Sequence, residues 1–593
     1  MLTMKNIKSE QAQHYFSKGY YERGRWFGKG AQNLNLAKYI ENKEEFDALL
    51  EGYSPDRKKS LMARRINPDK HRAAIDCTFS APKSISLQAL IGGDDRLIDA
   101  HRKAVEEALQ LMESRYAQTR IYRTGKPRQK VQTKCLAIAQ FDHIETRDLD
   151  PHLHTHCVVM NFTQADDKKW RSLSNDAIYT NQKLLGMVYQ HKLACTVQQL
   201  GYQTIPLGNG QFEIVGYDKK ELEAFSKRRQ KILSVTGKNA NYKQRNKAWN
   251  ITRNKKYLVQ PEKLKALWKQ EGKIIKLKLN VPSLTQKLAP LNTFEQYISA
   301  GIEHHSKRSL FLKIEDIERY VLERAKPVAL EEVTKNIVIY PKLIKIDAKN
   351  YTTESALKLE LATLKLMLEE KEKIEPLISE EELNETLSEK GLKERQQLAI
   401  LRSLGGKDRF TAWRVLTNQT KWKALKAVKE IAQEKGYQVR GIARDYEADS
   451  LKTEVEMETM QLHQLDEKII SGEIGKNEIW IVTQADKLTN KEVFDLFTSS
   501  FVLKAKVIMV GQLRERNSFS NIFKSLQQVG MTINFLDEPL IERKTRLLWG
   551  LELIGKGDVP SGIEYLQSFN NRNPNSLKTL KNSEYSTQQE MAL

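Results

Sequence analysis

The pattern of apolar and polar positions in the first third of the chain predicts a set of paired β-strands. Residues 136–141 form a short apolar run, and a second run, 157–160, follows a polar segment at 145–151. An earlier run at 75–79 precedes Ser80-Ala81-Pro82, after which a helix should begin near Lys83. Because two runs joined by a short polar segment tend to pair, we expect strands 136–141 and 157–160 to be neighbours.

Four histidines lie around the polar segment between these two strands. His152, His154 and His156 alternate along one strand and therefore project from one face, and His143 follows the strand before it. A His-x-His pair alone is more often a surface feature than a ligand set, but a further histidine on the neighbouring strand favours metal binding. Buried imidazoles are costly without hydrogen bonds or a cation. Three neutral imidazoles with open coordination positions predict a reactive site rather than a closed structural one.

An aspartate and a group of tyrosines are the other chemically informative positions. Asp76 lies within an apolar, β-branched run, where a carboxylate needs a partner such as the second nitrogen of a ligand histidine. Tyr15, Tyr20 and Tyr21 lie near the N-terminus. Their spacing fits the inner face of an amphipathic helix. It also fits a nucleophile towards phosphorus, provided that the phenolate can form.

Together these motifs resemble those of the TrwC/TraI-type conjugative relaxases, the MOBF class of the HUH superfamily. The shared elements are Tyr15, the stretch Asp-Cys-Thr-Phe-Ser-Ala-Pro-Lys-Ser that begins at Asp76, and His143 followed by Asp-Pro-His-Leu-His-Thr-His ending at His156. Shorter matches, such as Trp-Phe-Gly-Lys-Gly-Ala at 26–31, keep the family's order across roughly the first 285 residues.

The resemblance implies a metal-dependent transesterase that nicks one DNA strand at a transfer origin (oriT) and rejoins it. In such enzymes a tyrosine attacks a phosphodiester and leaves a 5′-phosphotyrosine bond and a free 3′-hydroxyl. His152 occupies a position that is not a ligand in the family. Carried over by position, the nucleophile is Tyr15, the residue that pairs with a ligand histidine and assists the tyrosine is Asp76, and the metal ligands are His143, His154 and His156.

Two of these assignments have alternatives, that of the nucleophile and that of the metal ion. The family usually has two tyrosine pairs, whereas this chain has Tyr15-Phe16 and, after a shorter spacer, Tyr20-Tyr21. Tyr20 or Tyr21 would serve a second cleavage that terminates transfer, or would replace Tyr15 as the primary nucleophile. The cofactor is one divalent metal ion: Mg²⁺ or Mn²⁺ by availability in the cell, and Zn²⁺, Ni²⁺ or Cu²⁺ by affinity in vitro.

The charge of the chain favours a polyanionic partner. Its formal net charge is +22 and its pI is about 9.4, so phosphate contacts should supply a salt-dependent affinity. Interleaved tryptophans and tyrosines suit single strands, whose bases stack on aromatic rings. The candidate DNA-binding residues within the basic runs are Arg64, Arg65, Arg72, Lys83, Lys227, Arg228 and Arg253.

Cysteine usage and hydropathy indicate the compartment. The four cysteines lack a Cys-x-x-Cys spacing and are expected to be reduced, buried thiols. No apolar stretch approaches the ~20 residues that a membrane span needs, and the N-terminus lacks a signal-peptide pattern. We therefore expect a cytoplasmic protein without membrane insertion, and the resemblance implies that this cytoplasm is bacterial. The resemblance also implies that the protein is translocated into a recipient cell together with the DNA.

From about residue 290 the pattern changes to charged helices and then to alternating strands and helices. Strand-like runs at 410–416, 438–443, 478–482 and 505–510 follow the order of a RecA-like lobe, which resembles the RecD-type helicase domain fused behind many relaxases of this family. Lys421 of a phosphate loop remains, but the loop's glycines are missing and Trp422 replaces its metal-binding hydroxyl. An active lobe of this type is expected to have an Asp-Glu pair after the strand at 478–482, and this chain has Thr483-Gln484 there. We therefore expect no ATPase or helicase activity.

The predicted protein is α/β throughout. Residues 1–288 should form an HUH relaxase domain with a central antiparallel sheet, 289–390 a helical connector that is solvated over 352–390, 391–567 a degenerate RecA-like lobe and 568–593 a disordered tail. The lobe would grip single-stranded DNA, dock on a secretion apparatus, or be only a structural remnant.

The expected function is that of a conjugative relaxase of a mobile genetic element. It would nick and rejoin single-stranded oriT DNA and pilot the strand into a type IV secretion system. Its expected partners are origin DNA, a secretion coupling protein and accessory origin-binding proteins. The alternatives are a rolling-circle replication initiator of the HUH type and a non-catalytic single-strand DNA-binding protein.

Overall fold

The chain divides into two structural units. One comprises Met1–His305 with Leu312–Tyr351, and the other comprises Ser306–Phe311 with Thr352–Leu593. The structure, a computed structural model, describes residues 1–12, 24–62, 72–123, 126–237, 240–252, 259–283, 294–347, 350–415, 418–512 and 521–536. The segment predicted as a connector, 289–390, contributes to both units, and the domain boundaries stay a prediction.

An antiparallel sheet organises the first unit. The strands of this unit are β1 (Leu2–Ile7), β2 (Arg25–Phe27), β3 (Ala74–Ser80), β4 (Gln118–Arg123), β5 (Lys126–Gln132), β6 (Ile138–Glu145), β7 (Pro151–Met160), β8 (Phe162–Gln164), β9 (Trp170–Ser172), β10 (Thr204–Gly208), β11 (Gln211–Ile214), β12 (Leu312–Lys313), β13 (Leu343–Lys345) and β14 (Asn350–Thr353). Five of them form the central sheet in the order β1-β3-β7-β6-β2, and every neighbouring pair in it is antiparallel. The others form the small sheets β4-β5, β8-β9, β10-β11 and β12-β14-β13.

The two faces of the central sheet are covered by different cores. Ile75, Cys77 and Phe79 point to one face, where the helices Lys83–Leu90, Arg96–Leu111 and Gln182–Gln199 pack. The other face carries Ala74, Val158 and Met160, and Phe46 of the helix Lys43–Leu50 covers it. Because both faces are buried, the strands have the near-continuous apolar runs that predicted them.

The remaining helices of the first unit surround this sheet and extend past it. They are Lys29–Asn33, Asp176–Thr180, Lys219–Ala224, Lys227–Thr236, Tyr242–Ile251, Pro261–Ile274, Glu295–Ser306, Ile314–Leu322 and Leu330–Val338. His191, on the helix Gln182–Gln199, holds the end of the first of the last two helices and the connection between them: its Nε2 donates to the carbonyl of Leu322 at 2.8 Å, and its Nδ1 accepts the N–H of Val328 at 3.2 Å. The first unit therefore continues beyond residue 288, the predicted end of the relaxase domain.

A parallel sheet organises the second unit. Its strands are β15 (Phe410–Arg414), β16 (Gln438–Ile442), β17 (Glu458–Met460), β18 (Glu478–Thr483), β19 (Lys506–Gly511) and β20 (Thr532–Phe535), in the order β17-β16-β18-β19-β15-β20. All neighbouring pairs are parallel. The helices of this unit are Glu354–Glu369, Glu380–Glu389, Glu394–Ile400, Asn418–Glu434, Asp445–Glu454, Leu465–Ile470, Asn490–Leu503 and Ile522–Val529.

The helix Glu354–Glu369 differs from the solvated connector that its charge pattern predicts. Ala356, Thr363 and Met367 are buried, and Glu360 accepts a hydrogen bond of 2.7 Å from the side chain of Asn490 on the helix Asn490–Leu503. A helix with many charged residues can therefore pack against the rest of the unit through one narrow stripe of buried residues.

The predicted α/β class is confirmed, with an antiparallel sheet in the first unit and a parallel one in the second. Among the described residues, none of the helices has the length and apolar character needed to cross a bilayer.

The core of the second unit provides a matched test of this packing. Phe497 is fully buried and stacks on Phe410 with 3.9 Å between ring centroids, whereas Phe501, one turn later on the same helix, is 49% exposed. We expect Phe497→Ala to lower the free energy of unfolding of this unit by about 3–5 kcal/mol through cavity formation, and Phe501→Ala by at most about 0.5 kcal/mol. Hydrogen-exchange mass spectrometry on the full chain should locate the lost protection in β15, β18 and β19. Equal effects of the two variants would contradict the packing.

Candidate active site

Three imidazoles converge on two neighbouring strands. His143 on β6 is paired with His154 on β7, and His156 is paired with Phe141, so strand alternation places all three rings on one face of the sheet. Their ring centroids lie 4.9–5.2 Å apart. One nitrogen of each ring lies within 4.8 Å of those of the other two. The structure thus brings together the three predicted metal ligands.

Asp76 holds one of these rings from the adjacent strand. Its carboxylate accepts the Nδ1–H of His156, with Nδ1–O distances of 2.9 and 3.1 Å. Thr78 donates its hydroxyl to the same carboxylate at 3.2 Å. A carboxylate acceptor fixes the tautomer of His156 with its proton on Nδ1, which leaves Nε2 as the ligand atom. Asp76 therefore lies where a ligand histidine needs it.

A backbone carbonyl holds the second ring in the same way. The Nδ1–H of His154 donates to the carbonyl oxygen of His152 at 2.8 Å, so its Nε2 carries the lone pair. The His152 ring does not belong to the group of nitrogens that could share an ion. His152 therefore contributes its main chain to the site.

Two of the three imidazoles, those of His143 and His154, are kept neutral by their surroundings. Burial and the neighbouring histidines hold the pKa of His143 well below its usual value. The same causes lower the pKa of His154 to about 3. Neutral imidazole is the form that binds a metal ion, and a set of nitrogen donors without a carboxylate suits a divalent ion that accepts imidazole. Among the expected ions, the donor chemistry of the cluster best fits Zn²⁺, Ni²⁺ or Cu²⁺.

The predicted nucleophiles lie outside the described residues, in the segment 13–23 that contains Tyr15, Tyr20 and Tyr21. Both flanks of this segment lie on the histidine face of the sheet. Ala12 is buried in the core on that face, and a Cβ on Gly24 would come within 2.7 Å of the ring of Phe141, the residue paired with His156. The described residues on either side of the segment therefore pack against the face that carries the histidines.

Four of the predicted DNA-binding residues are engaged by acceptors within the protein. The ammonium of Lys83 donates to the carbonyl of Pro151 at 2.7 Å, and burial lowers its pKa to about 8. Arg72 donates to Asn161 and to the carbonyl of Leu173. A phosphate would have to be accommodated beside these bonds.

The other two described candidates lie on the helix Lys227–Thr236. Lys227 pairs with Glu271 at 2.8 Å, and Arg228 donates to the carbonyl of Trp249 at 2.8 Å. Arg64, Arg65 and Arg253 lie outside the described residues. The DNA-binding roles of all seven residues stay predictions.

Thr78 is a site residue that the sequence interpretation did not single out. Its hydroxyl lies 3.2 Å from Asp76 Oδ1 and 3.0 Å from His156 Nδ1. The signal was present in the sequence, since Thr78 follows Asp76 by two positions on a strand and must therefore share its face.

In the second unit, the lysine that remains from the predicted phosphate loop is held in a buried ion pair. The Nζ of Lys421 lies 3.0 Å from Glu447 Oε1, and both side chains are at most 5% exposed. The same ammonium lies 4.3 Å from the ring centroid of Trp422. At the end of β18, Gln484 has a left-handed backbone with φ of 54°. The lysine is thus already neutralised by the protein.

Two family models match the chain. Residues 4–274 match the TrwC relaxase model and residues 391–570 match a model described as an AAA domain. The multifunctional conjugation protein TraI of Escherichia coli is 39% identical over 287 residues, as is that of strain K12. This alignment covers 46% of the chain and 16% of TraI, so the chain spans about a sixth of the length of these curated relatives.

Solved structures of TrwC are also similar. The conjugative relaxase TrwC in complex with oriT DNA has been solved metal-free, with 34% identity and a TM-score of 0.44. A copper-bound structure of that complex has 34% identity and a TM-score of 0.45. Both comparisons cover 47% of the chain and 100% of the TrwC chain.

The residues that match the TrwC relaxase model lie within the first unit, which is built on the antiparallel sheet, and those that match the AAA domain model lie within the second, which is built on the parallel sheet. Residues 4–274 of this chain belong to the TrwC relaxase family, and an AAA domain follows them.

Proposed function

We propose that the chain is a conjugative relaxase that nicks and rejoins single-stranded DNA at a transfer origin. One observation carries the proposal: three imidazoles, one of them held by Asp76, lie on the sheet face against which Ala12 and Gly24, the residues that flank the tyrosine segment, pack. This arrangement supports a nucleophile, an acceptor for its proton and a site for a scissile phosphate on the same face of the sheet.

The proposed reaction exchanges one phosphoester for another. The phenolic oxygen of Tyr15 attacks the phosphorus, the new bond is a 5′-phosphotyrosine, and the bond from phosphorus to the 3′ oxygen breaks to give a 3′-hydroxyl. The phenolic proton passes to Asp76, the leaving 3′ oxygen takes up a proton from water, and Asp76 returns its proton to the solvent. Because no high-energy bond is lost, the reverse reaction rejoins the strand.

His143, His154 and His156 would hold one divalent metal ion. When bound, the ion supplies Lewis-acid stabilisation of the charge that develops on the phosphate oxygens. The residues of the chain orient this centre: Asp76 and the carbonyl of His152 fix the rings of His156 and His154. Mg²⁺ or Mn²⁺ would serve in the cell, while Zn²⁺, Ni²⁺ or Cu²⁺ would bind in vitro.

The predicted second tyrosine pair and the basic residues complete the proposal. Tyr20 or Tyr21 would carry out the second cleavage that ends transfer. The net charge of +22 supports tight, salt-sensitive binding of the origin strand. The candidate contacts are Arg64, Arg65, Arg72, Lys83, Lys227, Arg228 and Arg253.

We further propose that the second unit does not hydrolyse ATP and instead grips single-stranded DNA or docks on the secretion apparatus. The Lys421–Glu447 ion pair supports this, because a lysine neutralised in the interior is not available to a nucleotide phosphate. The proposed partners are a type IV secretion coupling protein and accessory origin-binding proteins. The protein would act in the bacterial cytoplasm and enter the recipient cell with the DNA.

The ligand assignment of the histidine cluster can be tested by substitution. His154→Ala removes a ligand and should weaken Mn²⁺ binding to the full chain by at least about 100-fold, more than is typical for loss of an outer hydrogen-bond partner. His152→Ala keeps the carbonyl that holds His154 and should bind Mn²⁺ like the unmodified chain. Isothermal titration calorimetry checks both. Equal losses in the two variants would contradict the ligand assignment.

The assignment of Tyr15 as the nucleophile can be tested by adduct formation. An oligonucleotide that spans the candidate origin, incubated with the protein and Mn²⁺, should yield a covalent adduct on a denaturing gel. Tyr15→Phe removes the attacking oxygen and should abolish the adduct, while Tyr20→Phe and Tyr21→Phe retain it. An adduct that persists in Tyr15→Phe and vanishes in one of the other two would move the nucleophile to that position.

The proposed lack of ATP hydrolysis in the second unit can be tested directly. The unmodified chain should show no ATP hydrolysis stimulated by single-stranded DNA, and Lys421→Ala should leave that background unchanged. Lys423→Ala, at an exposed neighbouring position, is the matched control. Hydrolysis by the unmodified chain that disappears in Lys421→Ala but not in Lys423→Ala would overturn the proposal for this unit.

A further inference from the structure

Two polar side chains lie directly behind the histidine cluster, on the opposite face of the sheet. Asp142 precedes His143, and Thr155 lies between His154 and His156. The two are partners in the β6-β7 register, and alternation turns both away from the histidine face. That face otherwise carries the larger apolar core, where polar groups are costly unless they bond one another.

The hydrogen positions in this group follow from the distances. Thr155 donates its hydroxyl to Asp142 Oδ1 at 2.6 Å, because a carboxylate can only accept. The single hydroxyl hydrogen is then used, so the contact of 2.8 Å with His101 must run from His101 Nε2–H to Thr155. His101 Nδ1 in turn accepts the hydroxyl hydrogen of Tyr189 at 2.8 Å. All four residues are buried.

The second oxygen of Asp142 extends the group to another strand and to a helix. It accepts from Arg25 Nη1 and from Arg102 Nε, both at 2.9 Å. Arg25 begins β2, the first described strand after the tyrosine segment, and Arg102 lies on the helix Arg96–Leu111. The Arg25 guanidinium and the Thr155 hydroxyl keep the pKa of Asp142 well below its usual range despite its burial. Asp142 therefore joins β2, β6, β7 and a covering helix.

Apolar side chains would fill positions 142 and 155 with less desolvation cost. A buried ionic group seldom adds net stability over well-packed apolar residues, and its best-attested benefit is to fix one arrangement among several. The β6-β7 register shifts between His143 and Glu145, immediately beyond this pair. The Asp142–Thr155 bond is therefore a cross-strand link at the point where the regular ladder ends.

We infer that Asp142 and Thr155 are positioning residues of the metal site, a role that rests on the proposed function. Their bond fixes β6 against β7 where His143 faces His154, so that the three imidazoles share one centre. Arg25 extends this constraint to the strand that follows Tyr15, Tyr20 and Tyr21. None of these groups contacts the reacting atoms; they act through the strands.

The test measures Co²⁺ binding to the full chain. Thr155→Val keeps the shape of the side chain and removes its hydroxyl, and it should weaken Co²⁺ binding about 10-fold, as loss of a supporting hydrogen bond typically does. The visible absorption of bound Co²⁺, which reports the ligand geometry, should change as well. Thr155→Ser restores the hydroxyl and should recover both the affinity and the spectrum.

Thr163→Val is the matched control. Thr163 is also fully buried, and its hydroxyl bonds Thr133 and the carbonyl of Cys135, both at 2.6 Å. This variant should lower the melting temperature yet leave Co²⁺ affinity and absorption unchanged. If Thr155→Val does not fold, Arg102→Gln, at a partly exposed side chain, should shift affinity and spectrum in the same direction.

The outcomes separate this inference from the proposed function. Absence of Co²⁺ binding by the unmodified chain would overturn the metal site itself. Binding by the unmodified chain with the same affinity and spectrum in Thr155→Val, or in folded Arg102→Gln, would overturn only the positioning role. Equal losses in Thr155→Val and Thr163→Val would also overturn it, because they would reflect general loosening.

Discussion

The pairing of β6 with β7 is the constraint on which the candidate site depends. A shift of one residue in that register would turn His154 and His156 to the opposite face, away from His143. The sheet holds this register with apolar cores on both faces, with Asp76 on β3, and with the Asp142–Thr155 bond behind the rings. Metal binding at this site would therefore depend on the correct pairing of β6 with β7, because that pairing brings the three ligands together.

Much of the first unit could be predicted because its signals are local. Strand alternation placed the three histidines on one face, and a carboxylate within an apolar run pointed to a buried partner for Asp76. The partners of Lys83, Arg228 and Thr155 could not be predicted in this way. They come from parts of the chain far away in sequence, and only the assembled fold brings them together.

The second unit shows the same division between local and distant signals. The order of its strands followed from short apolar runs, and the parallel sheet agrees with that order. The buried stripe of the helix Glu354–Glu369 was obscured by its many charges, because the stripe is narrow and its partner helix lies more than a hundred residues later. The Lys421–Glu447 pair likewise joins residues that no spacing rule connects.

The central claim is that a phenol of the segment 13–23 reaches the phosphate held at the histidine cluster, and mass spectrometry of the covalent DNA adduct tests it most directly. Trypsin cleaves after Lys8, Lys18 and Arg23, so Tyr15 falls in the peptide 9–18 and Tyr20 with Tyr21 in the peptide 19–23. The account predicts that the 5′-phosphonucleotide is attached to the peptide 9–18. An adduct on a peptide outside residues 9–23 would contradict it.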